Sequence, residues 1–493
     1  MPGNYSVAVD LGASGGKMAA GQFDGEKVSL SDSFVFANIP VNLRGTLYWD
    51  VFGLYKSILN GLSKYGAEFG KASTVAIDTW GATYGLLDRK GRLLEPVYHY
   101  RDSRTENTLE EMYRSVSKKE LFEMTGCQCA RTYTLPQLYS CVLSGDPCLE
   151  SAEKLLLLPD LLGYFLSGST STEMTIAGTS ALMDRTQEHW NTELLKKFSI
   201  PTHLLTEIVD AGTCKGILDP NAADSTGIGR ARLVAAVSHD SAAAVAAIPG
   251  FGPNKLYVSI GTNVSMGIER DEPLISDEAF YGGFKNTGGI GRKKIVYRDF
   301  AAFWIINELR REWRKKQIDC SFDELHRLAG LAKSVNSYID PENPLFNSSE
   351  GNMEEKITGY LQKTGQTIPE TVGEFVRCVF ESLAMKIKAS ADYLKSELNV
   401  PLTEAFAING GARNELLVQM ISDALGIRVK AGLPYATIAG NLLTQLLSEG
   451  QVSSLSQMRE VSARSFRLKE YAPAPSKDWD GEFLRAKEMH IFP

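Results

Sequence analysis

The chain has 493 residues, 43% of them apolar and 23% charged, with a formal net charge of −7. That length exceeds what one hydrophobic core organises, so at least two domains are expected. An acidic balance without any Lys/Arg block argues against a broad nucleic-acid or anionic-membrane surface, and the first residues lack the basic segment and long apolar stretch of a secretory signal.

The elements fall in a repeating order. Strand-like segments are predicted at 5–10, 17–23 and 27–36. An amphipathic helix follows, with Val51, Leu54, Tyr55, Ile58 and Leu62 at helical spacing, and then a strand at 74–78. Three antiparallel strands, a helix and a further strand make a mixed sheet. The longest apolar run, 155–166, is interrupted by Pro159 and Asp160, is too short to span a bilayer, and reads as a buried helix. The second half repeats the pattern: a hairpin at 255–269, a long helical region at 370–398, a strand at 405–409, a Gly410-Gly411 turn, a helix at 414–425 and a short strand at 427–430. Pro249-Gly250-Phe251-Gly252-Pro253 is the natural linker, dividing 1–248 from 249–493. The seven cysteines are scattered and odd in number. Cys127 and Cys129 lack the spacing and the second pair of a zinc site, so reduced thiols of a cytoplasmic protein are expected.

Two glycine turns carry the first chemical signal. Asp10-Leu-Gly-Ala-Ser-Gly-Gly-Lys17 and Ser259-Ile-Gly-Thr-Asn263 each join two β-like runs. Such turns gather backbone N–H groups into a concavity that suits phosphate oxygens. Neither is a Walker loop, since Leu11 stands where the first glycine belongs and Met18 replaces Ser/Thr. Gly289-Ile-Gly291 fails the dinucleotide pattern at Lys294. Gly12-Ala-Ser14-Gly-Gly16 matches a nucleophile elbow, yet a strand rather than a helix follows it. Asp10 reads either as a turn-forming Asp or as a carboxylate beside phosphates holding Mg²⁺. Lys17 reads as a phosphate neutraliser or a surface lysine.

Ser238-His239-Asp240-Ser241 runs from an apolar strand into a small-residue helix. There Asp240 suits an N-cap and equally a general base for a hydroxyl; His239 reads as a substrate-bonding or a structural histidine. Asp78-Thr-Trp80-Gly81 and His99-Tyr-Arg101-Asp102-Ser-Arg104-Thr105 offer forked polar groups and an aromatic for a polyhydroxylated ligand. Core packing for Trp80 and a loop ion pair for Arg101 and Asp102 are the plain alternatives.

Taken together, these residues resemble the FGGY carbohydrate kinases nearly end to end. The match covers Asp-Leu-Gly-Ala-Ser at 10–14, Ile-Asp-Thr-Trp-Gly at 77–81, Tyr-Arg-Asp-Ser-Arg-Thr at 100–105, Ser-His-Asp at 238–240, Gly-Thr at 261–262, Arg-Cys-x-Phe-Glu-Ser-Leu-Ala at 377–384 and Gly-Gly-x-x-Asn at 410–414. The resemblance implies an α/β fold of two actin-like (ribonuclease H-like) lobes with a nucleotide and sugar cleft between them. It implies a sugar-binding, base-bearing lobe over 1–248 and a nucleotide-binding lobe over 249–493, closing around 249–253. ATP, Mg²⁺ and a small-molecule sugar are the implied partners, with no nucleic acid and no membrane; oligomeric state is left open.

Carried over residue by residue, Ala13, Ser14, Gly15, Gly16 and Lys17 would contact ATP phosphates, with Thr262 at the γ-phosphate. Asn307, Gly410 and Asn414 would lie against the nucleotide. Trp80, Gly81, Arg101, His239, Ser241 and Asp299 would contact sugar. Asp240 would be the catalytic base and Asp10 the metal ligand. The implied reaction gives a sugar 1-phosphate from a ketose, L-rhamnulose first, with L-fuculose, L-xylulose or another polyol as the alternative. A non-catalytic sugar or nucleotide sensor of the same fold is the reading from another class. Departures from the usual family pattern include Ala82-Thr83-Tyr84 after Trp-Gly, Asn263 in place of Trp, Arg298-Asp299 in place of Lys-Asn, Asn307 in place of Gln, Lys17 in place of Arg, Asn409 in place of Gly, and Tyr435 in place of Glu.

Overall fold

A computed structural model describes residues 5–94, 96–348, 350–433, 435–474 and 477–492. The chain forms two compact units. One gathers residues up to Phe251 with 269–296 and 435–466; the other gathers 252–268, 297–434 and the residues from 467 onward. The break at 251/252 falls near the expected linker. The units are nevertheless not contiguous halves, because two stretches of the second half pack into the first unit.

In the first unit the sheet strands are β1 (Ser6–Gly12), β2 (Gly15–Phe23), β3 (Val28–Leu30), β4 (Phe34–Ala37), β5 (Thr74–Thr79), β6 (Cys214–Ile217) and β7 (Arg232–Val234). Their order is β3-β2-β1-β5-β7-β6, with β4 also on β2. β1 runs antiparallel to β2 and parallel to β5, which is parallel to β7. The expected single strand at 27–36 is two short ones. It breaks at Ser31, where the Ala20 N–H donates to the Ser31 hydroxyl at 3.0 Å. The apolar run 155–166 is likewise not all helix. Lys154–Leu157 is a strand pairing with Tyr84–Leu87, and the helix is Leu158–Ser167 with Pro159 in its first turn, where a missing N–H costs nothing.

Helix Val51–Phe69 packs on β2, and helix Ala436–Ser448 packs on β1 and β5. Helix Val51–Phe69 is capped by Asp50 and buries Val51, Leu54, Ile58, Leu62 and Tyr65 along one stripe, the expected spacing. Fully burying each such aliphatic chain contributes about 1.5–3 kcal/mol. Helix Ala436–Ser448 is buried along nearly its whole length. It crosses helix Asp240–Ala246 so closely that a Cβ on Gly440 would lie 1.9 Å from the Ala243 carbonyl oxygen. Only glycine permits that approach.

A second sheet, most of it in the second unit, has β8 (Lys255–Ile260), β9 (Asn263–Arg270), β10 (Lys294–Ala301), β11 (Glu404–Ile408), β12 (Val429–Leu433) and β13 (Lys469–Tyr471) in the order β10-β9-β8-β11-β12-β13, with strand Lys285–Gly288 on the outer side of β10. β8 and β9 are antiparallel, β8, β11 and β12 are parallel, and β13 returns antiparallel. This is the first sheet's plan repeated. Helix Val372–Ser396, opened by a Thr371/Glu374 capping box, and helix Glu415–Leu425 pack together beside it. Among the described residues no helix is long and apolar enough to cross a membrane, and all seven cysteines are free.

Candidate active site

In the first unit the parallel strands β1, β5 and β7 deliver their carboxyl ends to one edge, the edge at which open α/β sheets bind ligands. Asp10 on β1 and Asp78 on β5 are register partners. Beyond β7 the chain reaches Ser238, whose carbonyl accepts the Thr79 N–H at 2.9 Å, and His239 forms a bridge with Thr79. Asp240 then opens its helix at the first helical position. His239, not Asp240, occupies the cap position, so the expected N-cap role is corrected. The Asp240 Oδ1 accepts from the Ser241 N–H at 2.5 Å and the Ser241 hydroxyl at 3.1 Å, with His239 Nε2 3.5 Å away.

Three carboxyls thus share one crevice. Burial above all, with Asp240 adding to it and Lys17 and Asp78 opposing it, raises the Asp10 carboxyl from its ordinary 3.8 to about 7. Asp78 is fully buried and held well above the ordinary range by burial and by Asp10. Its Oδ2 accepts from the Asn441 amide at 2.6 Å, and its Oδ1 meets no donor. Across the hairpin from Asp10 stands Lys17, whose ammonium lies 4.4 Å from the centre of the Tyr435 ring.

The hairpin tip, Ala13 and Ser14, is exposed. Behind it the Asn38 amide donates to the Gly12 and Ala13 carbonyls at 3.2 and 3.4 Å. Gly16 is glycine because a Cβ there would fall 2.2 Å from the Phe36 ring.

A divalent cation fits this crevice. Acids that push one another toward protonation gain from a positive charge between them. Among the described residues no three His, Cys, Asp or Glu side chains form a cage of their own. That suits Mg²⁺, which takes one or two carboxylates and fills its shell with water and phosphate oxygens.

The residues expected at the sugar divide. Trp80 is only 6% exposed; it packs on Trp49 at 4.3 Å and donates to the Thr83 hydroxyl at 2.8 Å, so it is first of all core. Gly81 leaves room for Thr179, which would lie 2.6 Å from a Cβ there, and the Thr179 hydroxyl accepts the Ala82 N–H. Arg101 is exposed beside the Tyr100 ring. Asp102 caps its own turn and accepts the Leu47 N–H at 2.8 Å. Burial and then Arg101 lower His99 to about 4, so this ring is neutral; its Nδ1 accepts the Arg101 N–H, and it stacks on Trp49 at 4.0 Å. Sequence reasoning gave no role to Trp49, Glu173 or Asn441, and placed Asp78 and Tyr100 only within motifs for a polyhydroxylated ligand, not beside Asp10 and Asp240. For Asp78 a signal existed: like Asp10, it ends a β-run directly before a glycine-containing turn. Asn441, 363 residues from Asp78, gave none.

In the second unit the register positions equivalent to Asp10, Asp78 and Lys17 carry Ser259, Ile408 and Ser265, so no carboxylate stands there. The turn after β8 exposes Thr262, whose carbonyl accepts the N–H groups of Ala302 and Trp304 at 3.1 and 2.9 Å. That fixes helix Phe303–Lys315, which carries Asn307. Asn409 donates to the Ser259 hydroxyl at 2.7 Å, Gly411 lies against Ile260, and a Cβ on Gly410 would meet nothing within 4 Å. Asn414 caps helix Glu415–Leu425 through the Leu417 N–H. Asp299 sits part-buried on β10. Thr262 follows the carboxyl end of β8, Gly410 and Asn414 follow that of β11, and Asn307 lies one turn into helix Phe303–Lys315.

The N-terminal domain of the FGGY family of carbohydrate kinases matches residues 5–247, and its C-terminal domain matches residues 256–449. The chain belongs to this family. It is an ATP-dependent sugar kinase that uses Mg²⁺. The rhamnulokinase of Bacteroides thetaiotaomicron is 34% identical over 480 residues, covering 97% of this chain and 98% of its own. That of Bacillus subtilis is 31% identical over 467 residues, covering 95% of each. Among solved structures, a xylulose kinase from Rhodospirillum rubrum superposes with a TM-score of 0.82 at 14% identity, covering 99% of this chain and 98% of its own. Plasmodium falciparum glycerol kinase with ADP superposes at 0.79 and 16% identity, covering 99% and 97%. The fold is the actin-like, two-lobed fold of these kinases.

Proposed function

We propose that the chain transfers the γ-phosphoryl group of ATP to the primary hydroxyl of L-rhamnulose, giving L-rhamnulose 1-phosphate, with Asp240 as general base. The sugar rests on the rhamnulokinases that match nearly the whole chain at 31–34% identity. The base rests on one observation. Ser241 ties Asp240 Oδ1, which orients the carboxylate, while among the described residues Oδ2 accepts no hydrogen bond and the side chain stays 28% exposed. An oriented carboxylate with one open oxygen is what a hydroxyl proton needs.

Phosphoryl transfer demands positioning and charge neutralisation more than covalent chemistry. Mg²⁺ supplies counter-charge to the phosphates when bound, and Asp10 would hold it. Lys17 and the tip residues Ala13, Ser14, Gly15 and Gly16 would face phosphate oxygens. Thr262 would meet the γ-phosphate, with Asn307, Gly410 and Asn414 along the nucleotide. Gly81, Arg101, His239, Ser241 and Asp299 would contact the sugar, and Trp80 would act by shaping the pocket wall. In this reading the first unit holds sugar and base, and the second holds nucleotide. A coupled ADP-release assay over a panel of ketoses and polyols tests it: L-rhamnulose should give the highest kcat/KM, and a higher value for L-fuculose or L-xylulose would reassign the acceptor.

A further inference from the structure

Glu173 is fully buried, and among the described residues no basic side chain pairs with it. Its Oε2 accepts four donors: the Thr175 N–H at 2.9 Å, the Thr175 hydroxyl at 2.5 Å, the Ile176 N–H at 3.2 Å and the Ser238 N–H at 3.1 Å. Its Oε1 meets none. The Thr175 hydroxyl in turn accepts the His239 N–H at 3.3 Å. Behind Glu173, Asp160 accepts both the Glu173 N–H and the Lys215 ammonium on Oδ1, at 3.3 and 2.5 Å, and Lys215 also donates to the Ser171 carbonyl at 2.7 Å. Asp160 and Lys215 neutralise each other. Glu173 is left as a carboxyl held by N–H and O–H dipoles alone.

Burying such a group is costly, and burial raises it to about 7 against the pull of those hydrogen bonds. Capping the short helix Met174–Ala177 does not account for it, since Ser or Asp would cap at less cost. What a cap does not need is the reach to Ser238 and, through Thr175, to His239. Those two amides are the backbone directly before Asp240, and Thr79 grips the same segment from the sheet side.

We propose that Glu173, with Thr175, is a positioning residue for phosphoryl transfer: it fixes the Ser238–His239 backbone and so the direction in which the Asp240 carboxylate faces. The inference rests on the reading of Asp240 as base. A small misplacement of a catalytic group costs about 100-fold in rate, so E173A should lower kcat by about that factor while the ATP KM stays within about twofold. E173Q presents an acceptor oxygen to the same four donors and should recover to within about fivefold.

Two measurements separate this role from a general structural one. In a D240N background E173A should lower the residual kcat less than about threefold, because a residue acting through Asp240 has little left to act on. Amide hydrogen exchange at Ser238 and His239 should accelerate in E173A ahead of other amides of the first unit. Should E173A fail to fold, T175V keeps the Glu173 carboxyl but removes the Thr175 hydroxyl, and with it both the bond to Glu173 and the link to His239; it should cost about tenfold in kcat. Equal fold-losses in the two backgrounds, or unchanged exchange at Ser238 and His239, would overturn the inference. High turnover by D240N alone would instead remove Asp240 from the base role, and the exchange result would still judge Glu173.

Discussion

The two sheets share one plan and carry opposite chemistry. Asp10-Leu-Gly-Ala-Ser on β1 corresponds to Ser259-Ile-Gly-Thr-Asn leaving β8, and each hairpin has a parallel neighbour on its far side. At the carboxyl ends, however, Asp10 is paired in register with Asp78 and Lys17, whereas Ser259 is paired with Ile408 and Ser265. One crevice concentrates carboxylates; the other offers hydroxyls, amides and bare glycine, with Arg413 as its charged neighbour. A repeated scaffold thus supplies two ligand edges, and a few substitutions at equivalent register positions divide the labour. On the function proposed above, metal and proton transfer would fall to the first edge and the nucleotide to the second.

If that division holds, damage at the first edge stops chemistry and damage at the second edge weakens binding. The largest effect is expected for D240N, a loss of about 10³-fold in kcat with the sugar KM within about threefold; ADP-release kinetics check it. D10N should act on stability as well as on activity. The Asp10 carboxyl titrates near 7 in the folded chain against 3.8 ordinarily. Between those values the folded state binds a proton that the unfolded state has released, so unliganded stability falls as pH rises from about 4 to about 7. D10N removes the charge and should be more stable than the wild type at pH 8, by on the order of 2 kcal/mol, with the gap closing near pH 4 in urea titrations.

The glycines give a sharper contrast. G16A must displace Phe36 and should cost about 1–2 kcal/mol. G410A meets nothing within 4 Å and should leave the unfolding midpoint unchanged while raising the ATP KM. The smallest effect is expected for T262V, about tenfold in kcat/KM for ATP with no change in stability. If T262V and G410A instead lowered stability, or D240N acted on KM alone, the two edges would not differ as described.

The sheets' plan was legible in the sequence because it is written locally. Alternation and glycine turns marked β1 and β2, the stripe from Val51 to Leu62 marked its helix, and the same signals marked β8, β9, β11 and helix Glu415–Leu425. Asp10, Lys17 and Asp240 could be singled out because each ends or opens an element. The polar side chains behind them were not legible. Asn441 reaches Asp78, Gln445 reaches the Val7 carbonyl, and Glu173 reaches Ser238, across hundreds of residues or from a short helix of no distinctive composition. Hydrogen bonds between distant segments leave no periodicity. Trp80 shows the converse: a residue type that suits sugar stacking was drawn into the core by Trp49 and Thr83.

Helix Ala436–Ser448 also has a bearing on how the protein is made. The first sheet is synthesised within the first half of the chain, yet the helix that covers β1 and β5 and gives Asp78 its partner emerges about 200 residues later. At ordinary translation speeds that is an interval of tens of seconds. During it, the nascent first unit presents bare apolar strand faces and a buried-type carboxyl with nothing to receive them. A fragment ending at Phe251 should accordingly aggregate, and adding the 435–466 segment in trans is the natural attempt at rescue.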